Sequence, residues 1–215
     1  MSNYRIENNM QPNESLKQKH QRLTLEFTKT PSMCHILQGG FIISVQVGVS
    51  IKNLLCDQLM LDPAYVESRI STIFLDGKPV DDIEAAKLSD GSVLALSAAM
   101  PGLVGATMRR GGRYSELRRN IAYQQHDQQA QSKEGTITLK LFNVMADDLG
   151  PEFLAHGVLL NKKHLKAFLE SRGSAFWEAC RNATLDGKEL NPISLKSQEW
   201  LTTTDLIELK IVSSN

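Results

Sequence analysis

The chain has 215 residues, 41% of them hydrophobic, so it can bury an ordinary core in one large domain or in two small ones. Lys and Arg number 24 and Asp and Glu also number 24, which excludes a net charge that would hold the chain on nucleic acid or on an anionic membrane. The start MSNYRIENNM lacks a signal-peptide pattern, and no apolar run approaches the length of a membrane span. We therefore expect a cytoplasmic protein that binds neither nucleic acid nor membrane.

Residues 1–21 predict a flexible arm, because polar side chains dominate there and no apolar periodicity is present. A first folded unit is predicted over residues 22–100. Its first two strands, at 23–28 and 41–49, alternate apolar and polar residues. They are interpreted as an antiparallel hairpin with a long connection.

A helix follows in the first unit, with Ser50 as its predicted N-cap. Residues 71–75 predict a third strand, which ends in the tight turn Asp76-Gly77. Residues 93–96 predict the last strand of the unit.

A second unit is predicted over residues 136–215, after a linker at 101–135. Its first strand alternates apolar and polar residues at 137–141. A helix follows for which Asn161 is the candidate N-cap. Its predicted buried face consists of Leu165, Phe168 and Leu169.

The tetrapeptide Leu-Asp-Gly-Lys occurs once in each predicted unit, at 75–78 and at 185–188. Such residues suit a tight turn, because Gly tolerates positive φ and Asp can bond its own backbone. Turns of this composition are common, so chance is the alternative explanation. The recurrence of strands, helix, turn and final strand in one order favours an internal duplication.

Two segments carry a resemblance to a known superfamily. FLDGKPVDD at 74–82 and KLSDGSVLALSAAMPG at 87–102 resemble the closing half of the molybdopterin-synthase small subunit, a sulfur-carrier type of the ubiquitin-like β-grasp superfamily. The resemblance covers residues 23–101 and, more weakly, 136–212. It implies an α+β fold of two tandem β-grasp units, each a mixed sheet wrapped on one helix. It also implies action through protein–protein contacts, as in tandem ubiquitin-like modifiers, including those of bacterial conjugation systems.

Members of this superfamily act through a C-terminal Gly-Gly whose carboxylate is activated and joined to sulfur or to an amine. This chain ends in Asn215, but MRRGG at 108–112 resembles the Arg-Gly-Gly end of ubiquitin. Cleavage after Gly112, with a processing protease and an activating enzyme as partners, is one interpretation, and a glycine-containing linker is the other. The processing or partner-binding candidates are Arg109, Arg110, Gly111 and Gly112.

The predicted linker begins with an apolar strip and continues with arginines. VLALSAAMPGLVGATM at 93–108 contains no charged residue and extends beyond the predicted last strand. Such a strip favours either a docking peptide, with Met100, Leu103 and Val104 as candidates, or packing within its own chain. RRGGRYSELRR at 109–119 then predicts either binding of a phosphate or acidic protein surface, or a solvated helix face.

The sequence contains no nucleophile elbow, phosphate loop, dinucleotide-binding glycine motif or zinc-protease motif. Neither the three cysteines (Cys34, Cys56 and Cys180) nor the five histidines have the spacing of a disulfide framework or a metal site. Cys34-His35 places a thiol next to an imidazole, but neighbours in a strand point to opposite faces. We expect no enzyme activity, no cofactor and no metal.

The sequence thus predicts a non-catalytic tandem ubiquitin-like protein that binds other proteins, with a protein modifier or its precursor as the specific version. A sulfur-carrier-like protein of cofactor biosynthesis is one alternative, and it requires a free Gly-Gly terminus. A small cysteine-dependent hydrolase is the other, and it requires a reactive Cys34.

Overall fold

Alternating apolar and polar residues form most of the strands, because this period places one set of side chains in the core and the other on the opposite face. The computed structural model describes residues 20–98, 102–114, 118, 121–123, 131–196 and 205–214. In these residues the chain is an α+β protein with one mixed sheet. Its strands are β1 (Gln21–Phe27), β2 (Phe41–Val47), β3 (Thr72–Leu75), β4 (Lys78–Pro79), β5 (Val93–Ser97), β6 (Lys133–Phe142), β7 (Val158–Asn161), β8 (Cys180–Leu185), β9 (Lys188–Leu190) and β10 (Leu206–Ser213).

The helices of the described residues are short. They are α1 (Cys34–Gly39), α2 (Ile51–Asn53), which continues as a π-helical turn (Leu54–Gln58), α3 (Pro63–Arg69), α4 (Gly102–Met108), α5 (Val144–Asp148), α6 (Gly150–His156), α7 (Lys162–Glu170) and α8 (Ser174–Ala179), with a 3-10 turn at Pro192–Lys196. None of these helices has both the length and the apolar character needed to cross a membrane.

The strand order is β4-β3-β5-β6-β2-β7-β10-β1-β8-β9. All neighbours are antiparallel except the pairs β5–β6 and β1–β10. The order therefore divides into a first half-sheet, β4-β3-β5-β6-β2, and a second half-sheet, β9-β8-β1-β10-β7, with the same sequence of pairings. They join between β2 and β7, where the single paired position is Ile42 with Leu159.

The predicted hairpin of the first two strands is wrong. β1 pairs with β10 and β8 in the second half-sheet, whereas β2 pairs with β6 and β7. An alternating strand specifies which face is buried but does not specify its neighbour. Consequently β1, from the predicted unit 22–100, completes the second half-sheet, and β6, from the predicted unit 136–215, completes the first.

The two Leu-Asp-Gly-Lys turns have equivalent surroundings. Asp76 and Asp186 have positive φ, 50° and 51°, and each is followed by a glycine. The carboxylate of Asp76 accepts a hydrogen bond from the Val93 N–H in β5 at 2.7 Å, and that of Asp186 accepts one from the Arg22 N–H in β1 at 2.9 Å. β1 thus occupies in the second half-sheet the position that β5 occupies in the first.

Both predicted N-caps are confirmed. The hydroxyl of Ser50 accepts a hydrogen bond from the Asn53 N–H at 3.1 Å, and the side-chain carbonyl of Asn161 accepts one from the Lys163 N–H at 2.9 Å. Each side chain satisfies a backbone donor that the first helical turn leaves open.

Only the helices that begin after Ser50 and Asn161 were predicted, so α1, α3, α4, α5, α6 and α8 are additional. Asp62-Pro63 resembles the stop of the preceding helix, yet Pro63 begins α3, since the fixed φ of proline suits a first helical turn. The Asp62 carboxylate caps this turn by accepting from the Ala64 N–H at 2.6 Å.

The core is continuous across both half-sheets. The rings of Phe41 in β2 and Phe153 in α6 lie 5.1 Å apart, as do those of Phe27 in β1 and Phe176 in α8. These helices therefore cover the buried face of the sheet and leave the alternate side chains on the other face.

Candidate interaction surfaces

The open face of the sheet carries the side chains that alternate with the core residues, and most of these are partly exposed. The strand registers align them in rows across the first half-sheet. Phe74 in β3 lies opposite Ala95 in β5, which lies opposite Lys140 in β6. In the next row, Val93 lies opposite Thr138.

Apolar side chains of the first half-sheet line a concavity on the open face. Its volume is about 720 Å³, within the range typical of binding sites. Lys140 and Asn143 also line it. The apolar patch consists of Phe74, Val93, Ala95 and Phe142.

The second half-sheet lacks this patch. The equivalent positions follow from the two Leu-Asp-Gly-Lys turns and from the registers of β1 with β8 and β10. The residues equivalent to Phe74, Val93, Ala95, Phe142 and Lys140 are, in order, Thr184, Arg22, Thr24, Val212 and Lys210. Apolar surface is therefore concentrated on one of two otherwise equivalent faces, which is the distribution expected of an interaction site.

Lys140 adds a positive charge to the apolar patch. Among the described residues its ammonium group forms no ion pair. The Asp76 carboxylate at the edge of the concavity already accepts hydrogen bonds from the Val93 N–H at 2.7 Å and the Ser92 hydroxyl at 3.3 Å. A bound group with apolar side chains and a carboxylate would complement this surface.

The predicted processing residues form a turn that packs against the start of β3. The N–H of Arg110 donates to the carbonyl of Ser71 at 2.7 Å, and the N–H of Gly112 donates to the carbonyl of Arg109 at 3.1 Å. Gly111 has φ of 60°, and a Cβ on Gly112 would meet the Arg109 carbonyl at 3.0 Å. The turn therefore explains why both positions are glycine, and it does not require them to belong to an extended Gly-Gly tail.

Arg118 holds this turn from a buried position. Its guanidinium donates to the carbonyls of Thr107 at 2.6 Å and Arg109 at 3.3 Å, and to the Asp81 carboxylate at 2.7 Å. Since a buried charge is costly without such partners, Arg118 is a structural residue of the arginine run. Arg119 lies outside the described residues.

Two of the three candidates for a docking peptide lie in α4. Leu103 and Val104 are 73% and 67% exposed, and Met100 lies outside the described residues. That these residues dock a partner stays a prediction.

Cys34 begins α1 and does not lie in a strand, so strand alternation does not describe its relation to His35. Its thiol donates to the Asp147 carboxylate at 3.3 Å and accepts from the Ser32 hydroxyl at 3.2 Å, and neither partner is an imidazole. Burial raises the pKa of the Cys56 and Cys180 thiols, which disfavours the reactive thiolate. The described residues contain no cluster of His, Cys, Asp and Glu side chains able to hold a metal.

Sequence reasoning missed the apolar patch. Its residues were assigned to strands, but only a strand's partners show whether its second face meets a helix or stays open. One signal was present: TIFL at 72–75 and VLAL at 93–96 do not alternate strictly, although each lies in a sheet with one open face.

Comparisons of the chain with protein-family models, with curated proteins and with solved structures found no match.

Proposed function

We propose that this chain is a non-catalytic, ubiquitin-like protein of two β-grasp units that binds a partner protein through the apolar patch. The matching order of pairings in the two half-sheets and the matching turns at Asp76 and Asp186 support a duplicated unit. In this proposal the units have exchanged strands, since β1 completes the second and β6 the first.

The observation that carries the proposal is the difference between the two open faces. Polar residues replace three of the four patch residues in the second half-sheet, so the strand framework does not by itself require the apolar ones. We infer that the bound partner is a polypeptide segment with apolar side chains for the patch and an Asp or Glu for Lys140.

The uncleaved chain is the form that the strand order supports. A modifier or sulfur carrier ending at Gly112 would lack β6, which lies between β5 and β2 in the first half-sheet. It would also retain β1, whose neighbours β8 and β10 would be on the other fragment. Such a product would expose the unpaired edges of central strands, which favours aggregation.

The test is selection of peptides from a random displayed library on the wild-type protein. Binders should combine apolar residues with Asp or Glu, and Phe142→Ser should weaken them about tenfold or more, because buried aromatic residues dominate interface energies. Lys140→Glu should shift the selected peptides from acidic to basic residues.

The second half-sheet provides matched controls. Val212→Ser and Lys210→Glu make comparable changes at the equivalent positions and should leave peptide binding unchanged. Peptides that bind Phe142→Ser as tightly as wild type would refute the proposal. Binding by a second copy of the chain would also refute it, and it would appear in sedimentation as a dimer that Phe142→Ser dissociates.

A further inference from the structure

A second cavity lies beside the Arg-Gly-Gly turn, between α4, the last turn of α3 and the residue before β3. Its volume is about 570 Å³, which suits a ligand of about nucleotide size. The lining residues that matter here are Glu67, Ser71, Arg109, Arg110, Arg113 and Tyr114.

The lining of this cavity is positively charged. Three arginines and one glutamate line it. Arg110 neutralises that glutamate, Glu67, in an ion pair of 2.9 Å. Arg109 and Arg113 form no ion pair with any described residue. Two guanidinium groups, each with five N–H donors, are thus available to an anion.

Ser71 provides an independent indication of a ligand. The residue is 8% exposed, and its hydroxyl oxygen is buried without a hydrogen-bond partner in the described structure. The backbone groups of Ser71 are engaged, since its N–H donates to the Arg69 carbonyl at 3.2 Å and its carbonyl accepts from Arg110 at 2.7 Å. A buried hydroxyl without a partner costs free energy, so its presence on the wall of a cationic cavity indicates a group that it would bond.

We propose that this cavity binds a small phosphate compound of nucleotide size. A phosphate dianion matches the two unpaired guanidiniums in charge and accepts their paired N–H donors. The Ser71 hydroxyl donates a further hydrogen bond to the same group. The ring of Tyr114, which is half-exposed in the lining, offers a stacking surface for a base.

The cavity is preorganised by the contacts that fix the turn. The ion pair of the buried Arg118 guanidinium with the partly exposed Asp81 carboxylate and the Arg110–Ser71 backbone bond hold the segment that carries Arg109 and Arg113. A ligand therefore need not order the turn when it binds.

The test is calorimetric titration of the full chain with inorganic phosphate, AMP and citrate. AMP should bind more tightly than phosphate, and citrate should bind more weakly than AMP. Arg109→Gln and Arg113→Gln should each reduce AMP affinity about tenfold or more, and Arg113→Lys should restore only part of the loss, because Lys lacks the planar fork.

Ser71→Ala separates a binding role from a structural one. Without ligand it should unfold at the same denaturant concentration as wild type or a higher one, since it removes an unpartnered polar group, yet it should weaken AMP binding. The matched control is Arg181→Gln, which removes an exposed arginine of β8 and should leave affinity unchanged. No binding of AMP or phosphate, equal binding of citrate and AMP, or an equal loss in Arg181→Gln would each overturn the proposal.

Discussion

At the scale of single residues, the close contact of His164 with Gly39 ties α7 to the end of α1. A Cβ on Gly39 would overlap the His164 ring, so only glycine permits this approach. Burial lowers the pKa of His164, and the nearby Lys140 ammonium adds to the effect, although backbone hydrogen bonds at Gly40 and His35 oppose it. The neutral imidazole is therefore the form that the folded chain favours.

This contact predicts a pH dependence of stability. As the pH falls through 6.5, the ordinary value for His, the unfolded chain takes up a proton at this position before the folded chain does. The contribution of the neutral His164 ring to the free energy of unfolding is thus fully present above pH 6.5, and it is lost as the pH falls below that value. Denaturant unfolding at pH 7.5, 6.5 and 5.5 should show a smaller decline of the unfolding free energy for His164→Gln than for wild type. Equal declines would contradict the assignment.

At the scale of secondary-structure elements, β1 and β5 have equivalent places in different half-sheets. Arg22 in β1 and Val93 in β5 are equivalent residues, since their N–H groups donate to Asp186 and Asp76. Leu25 and Leu96 lie three positions after them, and both leucines are fully buried. Each lies in the centre of its own half-sheet. The half-sheets are joined along β2 and β7 by one residue pair, which allows them to open separately.

Two leucine truncations test this division. Leu25→Ala and Leu96→Ala should each cost about 2–5 kcal/mol, because each leaves a cavity in the core. Hydrogen exchange should increase mainly in β8 and β9 for Leu25→Ala, and mainly in β3 for Leu96→Ala. Equal increases in both half-sheets in both variants would show that the sheet opens as one unit.

Many of the strands and helix starts were predictable from the sequence. The failure to predict how the strands pair has a physical cause. Alternation located Leu23, Leu25 and Phe27 in a strand, and the caps Ser50 and Asn161 marked helix starts, because these signals depend only on neighbours in the chain. Pairing partners depend on contacts between distant segments, so the hairpin assigned to β1 and β2 was wrong. The apolar patch was missed for the same reason, since it exists only where β3, β5 and β6 adjoin.

At the scale of the whole molecule, β1 lies in the second half-sheet and β6 in the first, so each half-sheet depends on both early and late parts of the sequence. Residues 1–112 contain β1 but lack its neighbours β8 and β10. Residues 113–215 contain β6 but lack its neighbours β5 and β2. Neither segment can complete a half-sheet by itself.

Expression of these two segments as separate chains tests this dependence. Residues 1–112 and 113–215 should purify together and elute as one heterodimer in size-exclusion chromatography, because five strand pairings cross between them. Each expressed alone should be insoluble or should lack a cooperative unfolding transition. A folded, monomeric 1–112 fragment would instead support the cleaved modifier.

The position of β1 also affects synthesis on the ribosome. β1 emerges from the exit tunnel long before its neighbours β8 and β10 are synthesised, so its apolar side chains stay unburied during that interval. Pairing over so long a sequence separation is slow, because closing the loop costs entropy before any contact is gained. The nascent chain would therefore be a substrate for chaperones that shield exposed strands.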